Sequence, residues 1–172
     1  MWTTTHEATT TAAPGAVWAA LERLHSGVPL GPGSDAFELH GPFAVGTTLT
    51  VTPQGQEPME STIVELVPGR TYADRTVFGD LALTFRHDLV ALDTGGTSVT
   101  HTLVIDGADA DTVGPELGPQ ISADFPATLR DLLDAAEATP DLPDAAEATP
   151  DLPDAAEATP DLPATDAARV DA

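Results

Sequence analysis

Apolar and polar residues alternate at period two from Trp2 to Thr10, with Trp2, Thr4, His6 and Ala8 on one side, which predicts a first strand. Behind it, Pro14 suits a first helical turn, and Val17, Trp18, Leu21 and Leu24 recur at helical spacing, predicting a short amphipathic helix over 14–25. The stretch from Ser26 to Asp35 carries Gly27, Pro29, Gly31, Pro32 and Gly33 and reads as loop. From Ala36 to Asp106 the chain runs in short alternating segments, 36–40, 46–53, 58–66, 71–78, 81–92 and 97–106, punctuated by turn pairs such as Gln54-Gly55, Pro68-Gly69 and Gly95-Gly96. Six successive strands on short turns predict an antiparallel meander, because parallel pairing requires long crossovers. After Gly114-Pro115 the period turns helical: Leu117, Ile121, Phe125, Leu129, Leu132 or Leu133, and Ala136 form one stripe. A long helix over 115–138 follows, with a kink at Pro126.

An antiparallel sheet with one apolar face needs a cover, and the only long amphipathic element is that last helix. The expected fold is therefore α+β of helix-grip type, a curved antiparallel sheet wrapped around a long C-terminal helix, spanning residues 1–138. Beyond it, the decapeptide Asp-Ala-Ala-Glu-Ala-Thr-Pro-Asp-Leu-Pro occurs three times unchanged, at 134–143, 144–153 and 154–163. Each unit has two prolines and a single large apolar side chain, too little to offset the entropy of ordering. Residues 139–172 are expected to form a disordered acidic tail.

Several short motifs carry a resemblance to a known family. They are Ala12-Ala13-Pro14-Gly15-Ala16-Val17-Trp18, Gly41-Pro42-Phe43-Ala44-Val45-Gly46-Thr47, Val67-Pro68-Gly69-Arg70, Phe85-Arg86-His87 and Gly96-Thr97-Ser98-Val99-Thr100-His101. In this order the chain resembles the START-like SRPBCC superfamily, especially its bacterial polyketide cyclase/dehydrase-like and chaperone-activator-like members. The resemblance implies a cavity between sheet and C-terminal helix. It identifies no reaction.

Composition narrows the chemistry. The chain of 172 residues has no cysteine, which removes disulfides, thiolate metal sites and cysteine nucleophiles. Its six basic residues are all arginine, so lysine Schiff bases and Walker-type phosphate loops are absent. A net charge of −22 works against nucleic acid and anionic lipid as partners. No stretch has the form of a signal peptide or the length of a membrane span, and the expected setting is a cytoplasmic one. A monomer or weak homodimer without a cofactor is expected.

The candidate site is a histidine pair. His87 and His101 share the parity of Leu83, Phe85 and Leu89 on one strand and of Val99, Leu103 and Ile105 on the next, across the turn at Gly95-Gly96. Both imidazoles then face the interior, where desolvation and mutual repulsion hold them neutral and able to bond a ligand hydroxyl or carbonyl. Three roles stay open: core residues satisfied by a neighbour or water, ligand contacts, or acid/base groups. A metal is not expected, since His6, His25 and His40 stand on unrelated elements and no carboxylate converges on the pair.

Tyr72, Asp74 and Thr76 form a second polar set on one face of a strand. It is read preferentially as an edge strand with Asp74 solvated, and otherwise as a cavity wall on which Tyr72 donates to an oxyanion. The predicted ligand contacts are His87, His101, Phe85, Leu103, Trp18, Phe125, Ile121 and Tyr72, with His87, His101 and Tyr72 as the catalytic candidates. The expected function is binding or carriage of a small hydrophobic metabolite of polyketide, lipid or isoprenoid type. The alternatives are a polyketide cyclase/aromatase-type enzyme using those side chains, and a chaperone-activator-like interaction domain.

Overall fold

A computed structural model describes residues 1–139. Seven strands, β1 (Trp2–Thr10), β2 (Ala36–Leu39), β3 (Thr48–Thr52), β4 (Met59–Val67), β5 (Thr71–Phe78), β6 (Leu81–Ala91) and β7 (Thr97–Gly107), form one antiparallel sheet in the order β1-β7-β6-β5-β4-β3-β2. The helix α1 (Pro14–His25) carries the chain from one edge to the other, and the meander returns until β7 pairs with β1. This is the expected helix-grip plan.

Local chemistry explains where α1 stops. Gly27 takes φ 97°, its N–H bonds the carbonyl of Leu24, and the N–H of Val28 reaches that of Arg23 at 3.0 Å. These two bonds are a Schellman closure, which favours glycine because an L side chain is strained at positive φ. A Cβ on Gly27 would also fall 3.0 Å from the carbonyl oxygen of Phe37. The helix thus ends immediately after His25.

The C-terminal helix departs from expectation. It begins at Ala110 rather than 115, and it is two helices, α2 (Ala110–Ile121) and α3 (Phe125–Glu137), joined by a 3-10 turn over Ser122–Asp124. Pro126 does not kink a continuous helix. The break ahead of it places this proline in the first turn of α3, where no N–H is required. Pro115 and Pro119 are tolerated inside α2 on its exposed side, where water can bond the carbonyls they leave free.

The break divides the interior. One cluster joins α1 to α3 through Val17, Leu21, Leu129, Leu132 and Leu133 and reaches Tyr72, Leu89 and Val99 on the sheet. The other joins Leu83, Leu103, Ile105, Ala110 and Phe125, with Trp2 packed against it. Trp2 fits there because α2 presents glycines: a Cβ on Gly114 would lie 2.4 Å from Trp2 Cβ, and one on Gly118 would lie 2.0 Å from the indole ring. At the far end of α3, Glu137 accepts hydrogen bonds from the Thr10 hydroxyl at 2.6 Å and from the N–H and hydroxyl of Thr11. Asp134 to Ala138, the start of the first decapeptide, thereby belongs to the domain. The tail expected to be disordered lies, apart from Thr139, outside the described residues.

Candidate functional site

Between the two clusters lies a cavity of about 280 Å3. Its wall is mainly apolar, with Leu83, Phe85, Phe125, Ile121, Leu117 and Leu132 among the residues that form it. The loop after α1 contributes Leu30, Ser34 and Asp35, and the exposed residues Gln56, Phe78 and Asp124 mark the mouth.

The register of β6 and β7 sets the histidines in the wall. Leu83 pairs with Ile105, Phe85 with Leu103, His87 with His101, and Leu89 with Val99, so the apolar sets of both strands share the inner face. The two imidazoles stack with ring centroids 4.0 Å apart, and His101 stacks in turn on Phe125 at 3.7 Å. His87 is 8% exposed and His101 7%. Nδ1 of His87 and both ring nitrogens of His101 are buried without a hydrogen-bond partner among the described residues. Such nitrogens cost free energy unless something bonds them, which makes them the most informative atoms in the cavity.

Electrostatics keeps the cluster neutral. Burial, then the charges His101 and His25 would carry, hold His87 well below the usual imidazole range. Burial, followed by His25 and His6, pushes His101 down to about 3. His25, buried at the end of α1, is lowered to about 4 by burial, partly opposed by its bond to the Leu21 carbonyl. That bond is 2.8 Å long and is donated by Nδ1, since a carbonyl can only accept, leaving Nε2 of His25 as an acceptor.

Tyr72 and Asp74 correct the edge-strand reading. β5 is the central strand of seven, Tyr72 is fully buried and Asp74 is 4% exposed. Ser61 donates to Asp74 Oδ1 at 2.6 Å. Burial raises the Asp74 carboxyl to about 6, against the lowering effect of its Ser61 and Tyr72 neighbours. The phenol of Tyr72 is pushed far up by burial and by the nearby Asp74 charge, and its hydroxyl makes no hydrogen bond of normal geometry. Asp74 faces the cavity with Thr76, whereas Tyr72 lies behind the wall against His25, their rings 4.1 Å apart, and Phe43, at 5.5 Å.

Three more carboxylates border the space. Asp35, on the loop, is raised by burial and by the charge of Asp124, while a bond from the Gln54 N–H opposes this. Asp131 on α3 also lines the cavity, and Gly31 backs directly onto it, so that a Cβ there would fall 2.3 Å from Asp131 Oδ2. No arginine lines the cavity, and none of these carboxylates forms an ion pair among the described residues.

Of the side chains expected in the site, His87, His101, Phe85, Phe125 and Ile121 lie in the cavity wall. Trp18, Leu103 and Tyr72 do not. Trp18 packs edge-on to Phe43 inside the α1 cluster, and Leu103 is wholly buried beneath Phe125 in the other. His25 was separated from the pair in the sequence reading, yet the end of α1 lays it 6.1 Å from His87, centroid to centroid. His6 stands opposite His101 on β1. The exposed His40 bonds the Thr50 hydroxyl and takes no part. No group of His, Asp and Glu with metal-holding geometry occurs among the described residues, nor is any described helix long and apolar enough to cross a membrane.

No protein-family model matches the sequence, and no curated protein matches it. Solved structures do share the fold. A norcoclaurine synthase point mutant from Thalictrum flavum, in complex with a transition-state analogue, superposes with a TM-score of 0.63 at 15% identity, over 79% of this chain and 94% of that one. The Zhui aromatase/cyclase from a Streptomyces species gives 0.60 at 18% identity, over 80% and 94%. The di-domain aromatase/cyclase BexL gives 0.59 at 21% identity, over 79% of this chain and 50% of that one. These neighbours are proteins of the SRPBCC superfamily, and what this chain shares with them is the helix-grip fold.

Proposed function

We propose that this protein binds or carries a small, largely apolar metabolite of polyketide, lipid or isoprenoid type. The observation that supports this best is the buried, unpartnered His101 in the wall of an apolar cavity. A guest burying its apolar body against Phe85, Phe125 and Leu83 gains hydrophobic free energy. A hydroxyl or carbonyl on that guest supplies a bond that His101 lacks, so the site favours a largely apolar molecule that brings a polar group to His101. The neutral state of the three histidines matters, because a neutral imidazole both donates and accepts.

A second reading has its own observation. Asp74, raised to about 6, and the neutral His87 and His101 face one cavity, so groups of different proton affinity meet a common guest. That is the arrangement a cyclase- or aromatase-type reaction uses to enolise a carbonyl and lose water. Aromatase/cyclases stand among the proteins with this fold.

Mass spectrometry of the full chain under native conditions distinguishes the two. A stoichiometric apolar compound, retained natively and released on denaturation, supports carriage. Turnover of an offered polyketone that stops in Asp74→Asn while the compound still binds supports catalysis instead. A protein that neither retains a guest nor takes up an added apolar fluorophore overturns both.

A further inference from the structure

The cavity also carries information about the charge of its guest. Asp35 and Asp124 lie close enough to repel each other, and Asp131, on α3 against Gly31 of the loop after α1, lines the same cavity. Gly31 leaves the Asp131 carboxylate uncovered by any side chain of its own. Phe37, Phe85 and Phe125 line the same cavity, and aromatic ring faces attract cations. Deeper in the same cavity, the unpartnered nitrogens of the neutral His101 offer one lone pair and one N–H.

We infer that the guest is a cation: a largely apolar molecule bearing a protonated amine, whose ammonium sits at the mouth beside Asp35, Asp124 and Asp131 while its body runs inward and brings the hydroxyl or carbonyl inferred above to His101. The inference rests on the reading of the cavity as a binding site and narrows its ligand class. An ammonium there relieves the repulsion between Asp35 and Asp124, and its hydrogens meet oxygen acceptors. A carboxylate-bearing guest of the same shape meets only like charge on the way in, with no arginine in the lining to offset it. The general acidity of the chain attracts cations everywhere, but these carboxylates border an enclosed apolar space, where an apolar body and an ammonium can be satisfied together.

Three probes of matched shape test this on the full chain: 1-naphthylmethylamine, 1-naphthylmethanol and 1-naphthoate, titrated calorimetrically at neutral pH and low salt. The amine is expected to bind about tenfold more tightly than the alcohol, and the carboxylate about tenfold more weakly, with both gaps shrinking at high salt. In the doubly substituted Asp35→Asn, Asp124→Asn chain the amine's advantage over the alcohol should shrink to within about threefold. Should that variant fail to fold, the single Asp124→Asn change at an exposed position carries the comparison. An alcohol that binds as well as the amine overturns the cationic guest and leaves the apolar cavity standing. So does an amine preference that survives in full both in that variant and in Asp131→Asn, since it then belongs to the surface at large. If none of the three enters, the cavity reading falls too.

Discussion

His87 and His101 face each other across β6 and β7 with their rings stacked at 4.0 Å, and neither finds a hydrogen-bond partner for its Nδ1. Two imidazoles in contact cannot both be charged in an apolar wall. The cluster is therefore a neutral polar island that folding alone leaves unsatisfied.

The first consequence is a specific response to acid. The unfolded chain binds protons at its histidines near the ordinary imidazole value of 6.5, whereas the folded chain holds His25 to about 4 and His101 to about 3. Their contribution to stability is complete above about pH 6.5 and is lost as pH falls toward the folded values. Asp74 acts in the opposite sense: raised from 3.8 to about 6, it stabilises fully only at low pH and loses that contribution as pH rises through 6. The raised Asp35 follows Asp74. With His87 the histidines outnumber these carboxyls, so denaturant midpoints should drop between about pH 6.5 and about pH 5. Each histidine not offset contributes about 1.4 kcal/mol per pH unit. A flat profile would mean that protons reach the imidazoles in the folded state.

Replacing His101 should separate folding from binding. The side chain gives up no hydrogen bond to the protein, so His101→Leu removes two buried polar atoms and loses mainly the stacking on Phe125 and His87. The empty protein should change by less than about 1 kcal/mol or gain stability. A loss of several kcal/mol on chemical denaturation would assign His101 a structural role.

Much of this was legible beforehand, and what was not has identifiable causes. The strands were readable because glycine-rich turns break the alternation at regular intervals, and the histidine pair because parity fixes the face once the register follows the apolar residues. His25 was hidden: it ends a helix whose crossing angle over the sheet is set by tertiary packing. Asp74 was misjudged because a buried carboxylate on a central strand and a solvated one at an edge have the same spacing, and only the strand order decides between them. The early start of α2 was missed because Pro115 normally marks a boundary, whereas here it sits on an exposed face that tolerates it.

The buried polar groups of β5 should behave unequally. Asp74→Ala strands the buried Ser61 hydroxyl and should cost about 1–3 kcal/mol, of which Ser61→Ala in the same chain restores a part. Tyr72→Phe removes a hydroxyl that lies near Asp74 without a hydrogen bond of normal geometry and should cost less than Asp74→Ala. Equal costs at Tyr72 and Asp74, measured by thermal unfolding, would show the phenol to be bonded.

The glycines under Trp2 make a packing prediction. Gly118→Ala drives a methyl group into the indole ring and should destabilise by about 1–3 kcal/mol, despite the better helix propensity of alanine. Trp2→Leu in the same chain should recover part of the loss. A stabilised Gly118→Ala protein would mean that α2 sits farther from β1.

The central claim, an apolar cavity that recognises one polar group through His101, is tested most directly by calorimetric titration of 1-naphthylmethanol and 1-methylnaphthalene against the native chain and His101→Leu. In the native chain the alcohol should bind about 1–3 kcal/mol more tightly than the hydrocarbon, and the substitution should erase that difference while leaving the hydrocarbon's affinity intact. Equal affinities in the native chain, or an alcohol preference that persists without His101, would contradict the account.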